Sequence, residues 1–307
     1  MKEKTARGVH NSLLHQWYYD QKTQKRLLVV SFTILPLLLI LVFTIIPLIQ
    51  MFIYSFYDMR YIGKREFVGL SNYMEVFARK NIWDSLKLSL YYMVGSFLQI
   101  GAALYLAAVL SFKVKGSNFF KGTMFFPYLV NGIAVGFIFK FFFTHGYVLD
   151  TLLQGLGFEL DDLPFWLKDR STNNWALVFS AFWRYFGWDM ILFIGAIMSI
   201  DNTIYEAADL DGANSFQKFI HIILPNIKPV VLLTMILSIK GALSAFDEPF
   251  VMTDGRNGTA TYFIMMHRIA HEQQQVGLAS AMAFILLAMI LIVTVFQKLI
   301  FKRVSKD

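Results

Sequence analysis

Three charged residues stand near the centres of long apolar stretches: Arg184 and Asp189 within 175–200, and Lys240 within 228–248. A charge at that depth in hydrocarbon costs at least ~2.5–3.5 kcal/mol on insertion scales, so such groups pair with each other or line a wet path. Trp183, Tyr185 and Trp188 crowd around the first two. Aromatic faces stack on the apolar faces of sugar rings while polar side chains bond the hydroxyls. The cluster is therefore a candidate small-molecule pathway. Two readings stay open: a pathway, or helix packing in which Asp189 neutralises Lys240. Ser244, Phe246, Asp247 and Glu248 close the second stretch; they suit helix-end polarity as well as substrate contact. No catalytic constellation accompanies these groups. The chain has no glycine-rich loop ending in Gly-Lys-Ser or Gly-Lys-Thr, no His-Glu-x-x-His and no cysteine, so no metal site or catalytic residue is expected. Any ATP and magnesium used in its service would sit on a separate subunit.

The elements that must position these residues are membrane helices. Of the 307 residues 56% are hydrophobic and 16% charged, well on the apolar side of a soluble domain. About 20 apolar residues are needed to cross the bilayer core. Five segments meet this: 27–54, 86–112, 119–143, 175–200 and 276–301. A sixth, 228–248, is more polar, and its Lys240 must face protein or water rather than lipid. With the first residues inside, the inner segments hold fifteen Lys and Arg and the outer loops ten, which favours both termini in the cytoplasm. The reading is an all-α polytopic membrane protein with six spans. Cytoplasmic tails are expected at 1–26 and 302–307, around a membrane domain 27–301. No polar stretch is long enough for an independent core. Lys140, at the outer end of its span, is expected to snorkel to the interface. His145, His267 and His271 fall on outer loops and are expected to be solvated.

The inner loop 203–225 reads as two short helices with a break. Gly212 takes the left-handed conformation that ends a helix, and Ser215 is a plausible N-cap for a second helix from Phe216. Pro225 and Pro229 mark the start of the fifth span. Ala207, Ala208 and Ala213 leave a smooth surface, and Phe216, Phe219 and Ile220 supply apolar contact. A compact knob of this kind suits docking into a groove on a partner.

These residues carry a resemblance. Glu206-Ala207-Ala208, three residues, Gly212, nine residues, then Ile222-Ile223-Leu224-Pro225 resembles the EAA loop of binding-protein-dependent ABC importer permeases, matching EAA-x3-G-x9-I-x-LP throughout. Phe67-Val68-Gly69-Leu70-Ser71-Asn72-Tyr73 and Phe125-Phe126-Pro127-Tyr128 resemble segments of sugar permeases. So does Phe246-Asp247-Glu248 with Thr253-Asp254-Gly255, although Arg256-Asn257 stand where that family tends to have Gly-Pro. The chain is similar to carbohydrate uptake family 1, nearer the maltose-type F subunit. The resemblance implies a type I ABC importer permease fold in a bacterial cytoplasmic membrane. It implies a second homologous permease subunit, two ABC ATPase subunits and an extracellular or periplasmic solute-binding protein as partners, with a sugar or oligosaccharide as cargo. It also implies that the Tyr185–Trp188 stretch meets sugar, and that Glu206, Ala207, Ala208, Gly212, Ala213, Phe216, Leu224 and Pro225 form the contact with the ATPase. The alternative is a self-contained secondary transporter, in which Arg184, Asp189 and Lys240 would relay ions.

Overall fold

The structure, a computed structural model, describes residues 21–111 and 115–304, with side chains described for 24–111 and 115–301. Of the two expected tails, residues 1–20 and 305–307 lie outside the described residues, while helix already runs from Gln21 and continues to Val304.

The chain opens with α1 (Gln24–Tyr54), a short antiparallel ribbon of β1 (Tyr57–Met59) and β2 (Arg65–Phe67), and α2 (Ser71–Ala78). Next come α3 (Lys80–Ser111), α4 (Ser117–Leu129), α5 (Gly132–Phe143) and α6 (Val148–Gly155). The long α7 (Asn173–Met198) leads to α8 (Asn202–Leu210), α9 (Ser215–Leu243), α10 (Tyr262–His267) and α11 (Val276–Val304). Among the described residues, five helices (α1, α3, α7, α9 and α11) are long and apolar enough to cross a membrane, and α4 with α5 make a sixth span if the bent pair is one.

That pair corrects the unbroken helix expected over 119–143: α4 and α5 meet at 99°. Pro127 sits two residues before the end of α4, and its ring removes a backbone donor from the last turn. Val130 and Asn131 are then extended, and the Asn131 side chain caps α5 by accepting the amide of Ile133 at 2.9 Å. The fifth span also differs from expectation. It begins at Ser215 and runs 29 residues as one helix, so the second half of the inner knob and the span are a single rod. Pro225 does not interrupt it. A π-turn over Phe219–Ile223 lies just before that proline and spans His221, the position four residues upstream whose carbonyl the ring would crowd. α1 repeats the device, with a π-turn at Leu41–Ile45 ahead of Pro47.

α7 is the centre of the bundle, running along α3 and crossing α4, with α9 against both α3 and α7. Their seam holds Ile100, Ala103 and Ala107 of α3, Met190, Phe193 and Ile197 of α7, and Ile223 and Ile227 of α9. Lipid tails are as apolar as these side chains, so the seam gains by close packing rather than by escape from water; Ala103 and Ala107 are fully buried and let the backbones approach. A second cluster joins α11 to α2, α10 and the start of α3 through Val76, Ile82, Tyr262 and Met282. α1 leaves its apolar stretch unburied and meets the bundle through its last turns, where Phe52 lies edge-on to Phe284 of α11 at 5.1 Å.

Candidate functional site

The break between α4 and α5 sits beside a cavity of about 340 Å³ walled by α3, α4, α7 and the C-terminal end of α9. Polar groups converge on it from all sides. Gln99 Nε2 of α3 donates to Asp189 Oδ2 of α7 at 2.7 Å, and both side chains are buried. Asp247 lines the wall just beyond α9 and accepts from Arg184 Nη1 at 3.0 Å. Glu248, 5% exposed, and Ser244, the C-cap of α9, complete that side. The aromatic wall is Trp188 stacked on Tyr128 at 4.6 Å between centroids, with Tyr185 6.1 Å from Tyr128. Arg184 lies over the Tyr185 ring at 4.9 Å.

Gly132, first residue of α5, makes the pair of Arg184 and Asp247 possible. A Cβ there would lie 2.0 Å from Asp247 Oδ2 and 2.3 Å from Arg184 Nη1. The ion pair thus fills the space a side chain would take. It joins the broken helix, α7 and the end of α9 at one point, next to the positive end of α5.

Most of the candidate residues therefore come together: Tyr185, Trp188, Asp189, Ser244, Phe246, Asp247 and Glu248 all line the cavity. Two do not. Trp183 turns away and packs edge-on against Phe139 at 5.3 Å in an apolar cluster with Leu177 and Val178. Lys240 is exposed on α9 and does not line the cavity. The ion pair of the packing alternative, Asp189 with Lys240, is absent: Asp189 is held by Gln99, and the pair in the wall is Arg184 with Asp247. On α9 the cavity face is Leu237, Ser238, Gly241 and Ala242, and Lys240 falls off it. Sequence reasoning missed Tyr92, Gln99 and Tyr128. Gln99 had a signal, since an amide in the middle of an apolar span needs a partner there.

The inner knob is built by caps. Gly212 has φ +73°, and the amides of Gly212 and Ala213 bond the carbonyls of Asp209 and Ala208 at 3.1 and 2.9 Å. This is the paired closure that a left-handed residue allows at a helix end. The N-cap of the next helix is Asn214 rather than Ser215. Its side chain accepts the Gln217 amide at 2.9 Å while Gln217 Oε1 accepts the Asn214 amide at 2.8 Å, a reciprocal capping box. Lys218 reaches back to Asp209 and ties the two helices together. At the start of α8 the amide and hydroxyl of Thr203 both donate to Asp201 Oδ1 at 2.9 Å, which holds that carboxyl below the usual carboxylate range. The corner presents Glu206, Ala207 and Pro225 exposed, Leu210 at 91% and Phe216 at 72% exposure, whereas Ala208, Ala213 and Leu224 are half-buried.

The histidines of the loops assigned to the outer side are more engaged than the sequence suggests. His271 Nδ1 is 2.7 Å from the Tyr61 hydroxyl, and His145 Nδ1 is 3.0 Å from the buried Asp150. His267 lies edge-on to Phe246 and Phe250 and 4.6 Å from His271; burial, then His271, lowers it below the usual histidine range. Lys140 is exposed and donates to the Val251 carbonyl at 3.2 Å.

Residues 99–306 match the family described as binding-protein-dependent transport system inner membrane component. The probable ABC transporter permease protein YurN of Bacillus subtilis (strain 168) is 32% identical over 251 residues, which covers 80% of this chain and 85% of that one. The multiple sugar-binding transport system permease protein MsmF of Streptococcus mutans is 33% identical over 277 residues, covering 87% and 92%. Among solved structures, a bacterial ABC transporter involved in the import of the acidic polysaccharide alginate superposes with a TM-score of 0.77 over 93% of this chain and 98% of that one. At 18% identity that likeness is one of fold.

Proposed function

The chain belongs to the binding-protein-dependent transport system inner membrane components, and from that premise we propose that it moves a sugar or oligosaccharide across the bacterial cytoplasmic membrane as the permease subunit of an ATP-driven importer. The cargo class rests on relatives such as MsmF, named for multiple-sugar-binding transport, and on a cavity of stacked aromatics with convergent polar groups. Sugars have two apolar faces and a rim of hydroxyls, and such a wall offers a surface for each. A second permease subunit would close the open side of the bundle. Two ATPase subunits would supply the hydrolysis, with ATP and magnesium bound there, and an extracellular binding protein would deliver the sugar. Both termini are assigned to the cytoplasm, by the excess of Lys and Arg on the inner segments.

One observation carries the mechanism: α9 is a rod that joins the knob to the cavity. At 1.5 Å per residue its 29 residues span about 44 Å. Its first turn is closed by the Asn214–Gln217 capping box and tied to α8 by Lys218, and its last turns form the cavity wall. A partner that grips the exposed Leu210 and Phe216 and then moves would shift Leu237 to Ser244 with it. Gly212→Val tests this. A β-branched residue at φ +73° costs about 1–2 kcal/mol, enough to open the corner without touching the spans. The variant should insert and assemble yet lose substrate stimulation of ATP hydrolysis. Stimulation equal to wild type would show that the corner does not carry the coupling.

A further inference from the structure

We propose that the membrane cavity is a charge filter, admitting neutral and amino-bearing saccharides and turning acidic ones away. The proposal builds on the reading of this chain as a sugar permease and narrows the cargo within it.

The charges on the wall are of one sign. Asp189, Asp247 and Glu248 line the cavity, and among the described lining residues there is no Lys, Arg or His. Arg184 stands behind the wall with its side chain 15% exposed, committed to Asp247 on one side and to the Tyr185 ring on another. Its presence mid-span is thus accounted for by Asp247, and it is not a free receptor for an acidic sugar. A uronate carboxylate would meet Asp247 before it met the guanidinium. To reach Arg184 it would have to displace Asp247 and leave that carboxylate without its partner, a substitution of one anion for another with nothing gained. Lys240, near the C-terminal end of α9, is off the cavity face.

The same groups suit a neutral ligand. An ionised carboxylate only accepts hydrogen bonds, and a sugar hydroxyl offers a donor to it in a charge-assisted bond. Trp188, Tyr185 and Tyr128 present ring faces to the sugar's apolar faces. A protonated amine adds attraction, because a cleft lined by one sign of charge within low-dielectric walls concentrates the opposite sign by about 10- to 1,000-fold. The likeness to the alginate importer is one of fold and does not bring an acidic cargo with it.

The chain contains no cysteine, so a single introduced thiol reports the local potential. Ser244→Cys, with Ser96→Cys as a second position on the opposite wall, is placed in the full importer assembled with its partner subunits. Each is reacted at pH 8 with a trimethylammonium-bearing and with a sulfonate-bearing methanethiosulfonate. Each rate is divided by that reagent's rate with a small free thiol, and the unsubstituted complex gives the blank for partner thiols. The cationic reagent should react at least about tenfold faster, and Asp189→Asn with Glu248→Gln should bring the ratio toward one. Equal normalised rates, or a faster sulfonate, overturn the filter. Uptake of a neutral oligosaccharide by the same complex is read separately. Failure to move any sugar would count against the permease reading, while the reagent ratio would still decide the charge of the cavity.

Discussion

Asp247→Asn should destabilise the complex more than Arg184→Met, although each change removes one half of the same ion pair. Arg184 is 15% exposed and its Nε has no hydrogen-bond partner, so it depends on Asp247 for most of its compensation. Removing one partner of a fully buried pair costs about 3–5 kcal/mol. Asp247 is 39% exposed, so water screens part of the interaction and leaves about 1–2 kcal/mol for Asp247→Asn. In the reverse case the carboxylate left behind turns to water, and Arg184→Met should cost less than about 1 kcal/mol. The double variant should lose about 1 kcal/mol less than the sum of the two single losses, since neither group is then left alone. The assay is thermal loss of the monodisperse complex, followed by size exclusion for all four proteins under one detergent condition. Additive losses, or a larger loss from Arg184→Met, would refute the claim that the pair is coupled and that the arginine is its buried member.

Two further outcomes follow from the geometry. Trp188→Ala removes the ring stacked on Tyr128 but leaves the α3 and α7 seam intact; stacking of this kind is worth about 0.5–1.5 kcal/mol, so transport per assembled complex should fall up to about tenfold with abundance near normal. A parallel fall in abundance would make the ring a packing element. Asp201→Ala removes the carboxylate that caps α8, so hydrogen exchange at the first α8 amides should quicken, and Asp201→Asn should largely restore protection. Because the folded carboxyl is held below its usual value, the ionised cap is at full strength above about pH 4 and its charge-assisted part is lost as pH falls through the lowered value, where wild type should approach Asp201→Asn; wild-type protection still exceeding that of Asp201→Asn at low pH would contradict this sign.

The spans and the knob were legible in the sequence because each rests on local rules. A run of apolar residues has one solution in lipid, and Gly212 in its spacing has one low-cost conformation, so both were readable before any contact was known. What failed to show was partnership. Asp189, Lys240, Arg184 and Asp247 are four charges that could pair in more than one way, and the choice depends on which face of α9 meets α7. Helical spacing alone leaves that rotation open by a residue, and Lys240 lies just off the face that Gly241 and Ala242 share with the cavity. Trp183 failed for the same reason, one position from Arg184 and turned into the Phe139 cluster. The bend between α4 and α5 was hidden because Pro127 is tolerated near a helix end. Only the two extended residues after Leu129 turn the chain, and neither Val130 nor Asn131 announces that in a run this apolar.

On the proposed function, this chain conducts sugar under the power of separate ATPase subunits gripping the α8–α9 corner. This is tested most directly by reconstituting the chain with its partner permease, ATPases and binding protein in liposomes, and measuring uptake of a labelled neutral oligosaccharide. With ATP on the ATPase side and no ion gradient, sugar should accumulate only when the binding protein is present, and accumulation should vanish with Gly212→Val. Uptake that ignores ATP and follows an imposed proton or sodium gradient would contradict the account and make the chain a transporter in its own right.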